Sequence, residues 1–147
     1  MSQKRPRVIG TTPDAILRAE AALRQSLPKS FRSWLLEHNG TALNYVCIFP
    51  VLDDRDQRST WDSIDRRFRS GWTEWLEIHR DAHHDLSVLL PFGDFGTGDY
   101  YCFDQSLIGA FGEAPVVLWS HETADTEHRA DSFSEFVEGV LAGRIHD

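Results

Sequence analysis

Apolar positions at the start of the chain recur at helical spacing. In the segment 11–26 they include Ile16 and Leu23. Thr12 is a preferred N-cap residue, and Pro13 suits the first turn of a helix because its missing N–H has no helical acceptor there. We therefore predict a helix that begins next to Thr12.

A second, shorter helix is predicted in the segment 27–40. Its apolar face consists of Leu27, Phe31, Trp34 and Leu35. The pair Asn39-Gly40 favours a left-handed backbone conformation, which commonly ends a helix. Together the two segments predict a helical N-terminal third of the chain.

The middle of the chain alternates between strand-like and helical patterns. Residues 42–52 predict a strand in which Leu43, Tyr45, Cys47 and Phe49 share one face. Residues 53–59 form a charged loop, and residues 60–71 predict a helix with Trp61, Ile64 and Phe68 on one face, ending near Gly71. The segment 72–86 also favours a helix.

Three short apolar segments predict strands at 87–92, 99–104 and 115–120. The first two are joined by a turn rich in glycine and aspartate. A last helix begins at Ser132, which forms a capping-box pattern with Glu135, and extends to Gly143. The pattern predicts one α+β domain over residues 1–147, with a mostly antiparallel sheet flanked by N-terminal, middle and C-terminal helices.

Composition narrows the classes of function. The chain has a net charge of −8, which disfavours direct binding to nucleic acid and favours a basic partner protein, although an acidic surface also serves solubility alone. No apolar run is long enough for a membrane span, and none follows the basic N-terminus as in a secretory signal. With only two cysteines, we expect a cytoplasmic protein without disulfides.

The turn between the first two of these strands contains patterns that resemble known phosphate and kinase motifs. Gly93, Gly96 and Gly98 run in the reverse order of a dinucleotide fingerprint, and a strand follows them where such a site needs a helix. The tripeptides at 79–81 and 94–96 match kinase motifs, but no glycine-rich phosphate loop precedes them. We interpret the segment as a structural turn and expect no cofactor.

Histidines offer the remaining candidate chemistry. His79 and His83 lie one helical turn apart, and His121 precedes Glu122 in a partial zinc-protease pattern that lacks its second histidine. Neither cysteine has a histidine near it in sequence, and no nucleophile elbow occurs. We assign no catalytic residue and no metal ligand, and keep a small metal-dependent hydrolase as an alternative.

Four segments in order resemble the SUKH superfamily, the domain of the fungal cell-wall-assembly regulator and of many bacterial immunity proteins. They are a Leu-Pro helix ending in Asn-Gly (27–40), a strand–turn–strand unit ending in Asp (89–104), a strand followed by His-Glu (115–122), and an Ala-Asp-Ser-Phe helix start (130–133). The resemblance covers about residues 12–143. It departs from the family pattern at Ser120, where an acid is usual, and at Phe95 in the turn.

The resemblance implies a binding protein without catalysis. Bacterial members are commonly immunity proteins that neutralise a toxin, such as a secreted nuclease, encoded beside them. The fungal members suggest an alternative, a regulatory or scaffold module. Under the first interpretation an acidic surface would steer the protein to a basic toxin and block its cleft.

Nine residues are candidate contacts with such a partner. They are His121, Glu122, Asp94, Asp99, Tyr100, Trp119, Asp53, Asp54 and Asp56. Each has a structural alternative: the aspartates of the turn can bond to local amides, the aromatic residues can belong to the core, and the acidic loop at 53–56 can simply be solvated.

Overall fold

Five antiparallel strands form one sheet, with helices on both faces, in a computed structural model that describes residues 8–82 and 85–146. The strands are β1 (Cys47–Ile48), β2 (Leu89–Asp94), β3 (Tyr100–Asp104), β4 (Val116–Trp119) and β5 (Thr126–Ala130). The α-helices are α1 (Pro13–Leu23), α2 (Lys29–His38), α3 (Gln57–Thr60), α4 (Ile64–Arg67), α5 (Thr73–Ile78) and α6 (Phe133–Leu141). The predicted α+β single domain is confirmed.

The predicted helix caps are present at both ends of the chain. The Thr12 hydroxyl accepts a hydrogen bond from the Ala15 amide at 3.2 Å, which satisfies a free donor in the first turn of α1. At α6, the Ser132 hydroxyl accepts from the Glu135 amide at 3.1 Å, and the Glu135 carboxylate accepts from the Asp131 amide at 3.0 Å. The second bond reaches one residue further back than in the usual capping box.

The sheet follows the order of the chain, β1-β2-β3-β4-β5, and every neighbouring pair is antiparallel. The turn predicted at 93–98 is present at 95–99, since β2 extends to Asp94, and the register of β2 and β3 shifts between Pro91 and Gly93. Strand β5 has no counterpart in the prediction. Its sequence, Thr-Glu-His-Arg-Ala, is polar because it forms an edge of the sheet and its side chains are largely exposed.

The larger core lies between one face of the sheet and helices α1, α2 and α6. Aromatic rings fill its centre. The rings of Phe92 and Phe103, on adjacent strands, stack with centroids 4.2 Å apart, and Phe31 of α2 meets Phe133 of α6 edge-to-face at 4.9 Å. These contacts fix α2 and α6 side by side on the sheet.

The opposite face of the sheet packs against the helical segment that contains α4 and α5. Trp72 and Trp119 meet edge-to-face at 4.9 Å, and Cys102 and Val117 complete this smaller core. Burial of both faces explains why β3 and β4 are apolar at nearly every position.

The middle helical segment differs from the prediction in its bounds. A π-helical turn (Phe68–Trp72) links α4 directly to α5, so the helix passes through Gly71 and does not end there. Trp61 precedes α4 and is largely exposed, with the Arg66 guanidinium 3.8 Å from the centre of its ring. No helix among the described residues has the length and apolarity needed to cross a bilayer.

The predicted strand at 42–52 is wrong in length. Only Cys47–Ile48 pairs with β2, and Leu43 forms an isolated bridge with Val46. Of the four residues predicted to share one face, Leu43 and Phe49 are buried, whereas Tyr45 and Cys47 are exposed. The tight turn before β1 therefore interrupts the alternation after Leu43.

Candidate functional site

The glycine-rich turn positions Asp99 against the connection between β4 and β5. One Asp99 carboxylate oxygen accepts hydrogen bonds from the His121 amide at 3.0 Å and from His121 Nδ1 at 2.6 Å. Gly98 has φ +94°, and a Cβ atom there would lie 3.0 Å from the His121 ring. The structural alternative for Asp99, a bond to local amides, is thus replaced by bonds to a residue that lies 22 positions away.

His121 is held from several sides. Its ring meets that of Trp75 at 5.8 Å, and its carbonyl oxygen lies 2.9 Å from His79 Nε2. The side chains of Asp99 and His121 are 26% and 30% exposed to solvent, so one edge of the pair is accessible. The structure thus brings two of the predicted contact residues together and adds His79 and Trp75 behind them.

Two further candidates, Tyr100 and Trp119, lie beneath this pair. Their rings stack at 5.9 Å with an interplanar angle of 28°. Trp119 is completely buried, and its indole nitrogen has no hydrogen-bond partner among the described residues. Trp119 therefore belongs to the core, as its structural alternative held, while the half-buried Tyr100 also lines a small cleft of about 230 Å³.

The histidines do not assemble a metal site in the part of the chain that the structure describes. No group of three or more His, Cys, Asp or Glu side chains with suitable spacing occurs among residues 8–82 and 85–146. His79 is bonded to a backbone carbonyl, and the second histidine of the predicted set, His83, lies outside the described residues.

Glu122 and Asp94 have different surroundings. Glu122 is exposed in the turn after β4, where its amide donates to the Ser120 hydroxyl at 3.3 Å. Asp94 ends β2, and its carboxylate lies 3.6 Å from an Arg67 guanidinium nitrogen. Of these two carboxylates, only that of Glu122 extends freely into solvent.

The expected exposure of Asp53 is wrong. Asp53 is only 3% exposed, and its carboxylate accepts hydrogen bonds from the Thr11 hydroxyl at 2.8 Å and from the Arg55 amide and guanidinium at 2.7–3.0 Å. The side-chain hydrogen bond from Arg55 holds the pKa of the Asp53 carboxyl well below its usual range. Asp53 therefore ties the loop to the segment before α1.

Asp54 and Asp56 remain at the surface of this loop. Asp54 lies 3.6 Å from Arg18, and both side chains are 63% exposed. Asp56 accepts from the Ser59 amide at 3.4 Å and from the Val8 amide at 3.3 Å. The acidic loop therefore has one exposed carboxylate (Asp54), one half-buried carboxylate (Asp56) and one buried carboxylate (Asp53) that holds the loop in place.

A groove of about 530 Å³ between α2 and α6 was not predicted. Its apolar surface comes from Trp34, Phe133 and Val137, with Phe111 at one edge. Phe111 lies in the loop between β3 and β4 and is 88% exposed. The signal in the sequence was the apolar run 107–111 between turn residues, where a loop is usually polar.

Charged residues surround this groove. Three glutamates and one lysine line it, which leaves a net charge of −2 with His38 neutral. Glu37 and Glu138 are exposed on opposite helices, and Lys29 is exposed at the start of α2. The groove therefore joins an apolar surface to an acidic rim, an arrangement of apolar centre and polar rim that protein interfaces share.

The comparisons with known proteins agree with the segment order in the sequence. None of the curated proteins is significantly similar to the chain. The family model described as the SMI1/KNR4 family (SUKH-1) matches residues 10–139, which include α1, all five strands and most of α6. The chain therefore belongs to the SMI1/KNR4 family (SUKH-1).

Proposed function

We propose that this protein is an immunity protein that binds and neutralises a toxin encoded beside its gene. Membership of the SUKH-1 family, which is known for immunity proteins of polymorphic toxin systems, is the observation that carries the proposal. The protein acts in the cytoplasm of the producing cell by direct contact, without catalysis and without a cofactor.

The charge of the chain supports a basic partner. With 23 acidic and 15 basic residues, the protein attracts a cationic surface over distances of about a Debye length, roughly 8 Å at physiological salt. Nuclease toxins need a basic cleft to hold phosphates, so a nuclease-type toxin fits this charge. Steering of this kind raises the association rate and makes that rate depend on salt.

Surface candidates from the sequence fit a contact role to different degrees. Glu122 and Asp54 carry exposed carboxylates, and Asp56 a half-buried one, that suit the rim of an interface. Asp99 and His121 are partly exposed and already bonded to each other, so they suit a rigid, preformed contact. Asp53 and Trp119 contribute by holding the surrounding surface in place, since neither side chain reaches solvent.

The test is co-expression with the toxin domain encoded by the neighbouring gene. We expect the protein to restore growth of cells that express this domain, and to bind its catalytically inactivated form at nanomolar or lower concentration. The association rate should fall as salt rises from about 50 to 500 mM, while the dissociation rate changes less.

Two results would contradict the proposal. One is failure to protect cells against any product of the adjacent genes, together with failure to bind its inactivated form. The other is recovery of several unrelated partners without any toxicity phenotype, which is the behaviour expected of the regulatory or scaffold alternative.

A further inference from the structure

We propose that the groove between α2 and α6, together with the loop that carries Phe111, is the surface that receives the toxin. Its occupant is an apolar segment of the toxin that is flanked by lysine or arginine. This inference rests on the proposed function and adds to it the surface and the chemistry of the partner.

The groove is held in a fixed shape before any partner binds. Glu113, at the end of the loop, accepts hydrogen bonds from the Ser30 amide at 3.2 Å and from its hydroxyl at 2.8 Å. The same Ser30 hydroxyl accepts from the Ser134 amide of α6 at 3.2 Å. These bonds connect the loop, α2 and α6, so little conformational entropy is lost there on binding.

A second set of bonds fixes the loop that presents Phe111. The Lys29 amide donates to the Gly112 carbonyl at 2.8 Å, and the Gly109 amide donates to the Glu113 carbonyl at 2.9 Å. The loop is thus anchored on both sides of Phe111, while the phenylalanine ring itself is 88% exposed. An anchored loop with an exposed aromatic tip has the features of an interface hot spot.

Apolar exposure continues along the same loop. Leu107 and Ile108 are also exposed, so the loop presents three exposed apolar side chains within five residues of the chain. A cluster of exposed apolar residues on a domain commonly marks a binding site, whereas single exposed apolar residues need no explanation.

The rim identifies the charge of the occupant. Glu37 and Glu138 are exposed on the two helices that form the walls, and Glu138 has no salt bridge among the described residues. Glu37 has only a 3.8 Å contact with His38. An occupant with lysine or arginine on its flanks would pair with these carboxylates, whereas an acidic one would be repelled.

The test compares variants of the groove with matched variants elsewhere, using the catalytically inactivated toxin domain from the neighbouring gene as the probe. Phe111→Ala should weaken binding by about 30-fold or more, as for an interface hot spot. Leu17→Ala removes a comparably exposed apolar side chain from α1 and should change affinity by less than about 3-fold. Thermal melts confirm that both variants fold.

A charge test separates the rim from the apolar surface. Glu138→Lys should lower affinity by about 10-fold and reduce the salt dependence of the association rate. Glu127→Lys, the same reversal at an exposed position of β5, should lower the association rate only slightly. A photoreactive phenylalanine analogue that replaces Ser33 in the groove should cross-link to a toxin segment that contains lysine or arginine.

The outcomes distinguish this inference from the proposed function. If the wild-type protein binds the toxin and both groove variants bind equally well, the groove is not the site although the immunity function stands. If the wild-type protein binds no neighbouring toxin, the proposed function fails and this inference fails with it. A wild-type dimer that Phe111→Ala dissociates, or a cross-linked segment without basic residues, would assign the groove to another occupant.

Discussion

Replacement of Asp53 by asparagine tests whether this buried carboxylate stabilises the fold. The negative charge of Asp53 receives four hydrogen bonds, one from the Thr11 hydroxyl and three from Arg55. Asparagine has the same shape but offers one acceptor oxygen and an NH₂ donor group. The NH₂ group of the asparagine would then face a donor of Thr11 or Arg55, and neither of the two donors would have an acceptor or ready access to water.

The size of the effect follows from these contacts. Hydrogen bonds to a charged group contribute about 1.5–3 kcal/mol, but the Arg55 side chain is 53% exposed, so water screens part of its interaction. We expect Asp53→Asn to lower the free energy of unfolding by about 2–3 kcal/mol. For a chain of 147 residues that corresponds to a decrease in Tm of about 6–10 °C.

The same contact set predicts a pH dependence with a definite sign. The pKa of Asp53 is lower in the folded protein than in the unfolded chain, mainly because of the side-chain hydrogen bond from Arg55. Its contribution is therefore complete above the unfolded pKa of about 3.9 and is lost as the pH falls from there toward the folded pKa. The difference in stability between wild type and Asp53→Asn should shrink over this range.

The assay is urea denaturation followed by circular dichroism at pH 7, 5 and 3. Asp54→Asn is the matched control, because its carboxylate is exposed and makes only long contacts, 3.6 Å with Arg18 and 3.5 Å with the Gln57 side-chain amide. This control should change stability by less than about 0.5 kcal/mol. Equal unfolding midpoints for the two variants at pH 7 would refute the stabilising role of Asp53.

Three further predictions concern the two cores and a close backbone contact. Gly10 has φ +85°, and a Cβ atom there would clash with the Leu36 carbonyl oxygen. Gly10→Ala should therefore lower the free energy of unfolding, measured by urea denaturation, by at least about 2 kcal/mol. An unchanged unfolding midpoint would contradict this close contact. Cys47 is exposed, whereas Cys102 is buried and burial raises the pKa of its thiol. A thiol reagent should therefore modify one cysteine in the native protein and two in guanidinium. Rapid reaction of both thiols in the native protein would contradict the packing around Cys102. Trp119→Ala should lower the free energy of unfolding by about 3–5 kcal/mol. Trp119→Phe should lower it clearly less, because the indole N–H has no partner among the described residues that could be lost. Equal losses for the two variants would indicate a hydrogen bond from that nitrogen.

Local signals in the sequence predicted the features that depend on neighbouring residues. Thr12 and Ser132 cap their helices because each hydroxyl meets an amide three positions later, a distance that the sequence itself fixes. The turn between β2 and β3 was predicted from its glycines, because glycine adopts positive φ without strain. Gly96 and Gly98 do have positive φ.

Features that depend on packing could not be predicted in the same way. The alternation in 42–52 predicted one continuous strand, but Asn44 has φ +53° in a tight turn, which interrupts the alternation before β1. The helix continues through Gly71 because the next residue, Trp72, packs on Trp119 and holds this turn against the sheet. Gly71 itself faces open space and contacts nothing that would end the helix. In both segments tertiary contacts outweigh local propensity.

The candidate site was predicted in its residues more than in its geometry. Asp99 and His121 were both selected from the sequence, but their direct hydrogen bond joins two separate turns and needed the register of β3 and β4. Asp53 was assigned to a solvated loop because it stands beside other charged residues in the sequence. In the structure it is buried, and hydrogen bonds from Thr11 and Arg55 satisfy its carboxylate. Phe111 was not considered, although it ends the apolar run 107–111 in a loop, where polar residues are usual.

The two candidate surfaces differ in what they can offer a partner. Around Asp99 and His121 the polar atoms already bond to each other, so a toxin that binds there must replace existing hydrogen bonds for a small net gain. Burial of the exposed Phe111 ring replaces nothing and contributes about 1.5–3 kcal/mol. Exposed carboxylates such as Glu138 contribute at most about 1 kcal/mol each, since water and salt screen them. Apolar contacts at Phe111 should therefore set the dissociation rate of the complex, while the acidic surface sets how fast it forms.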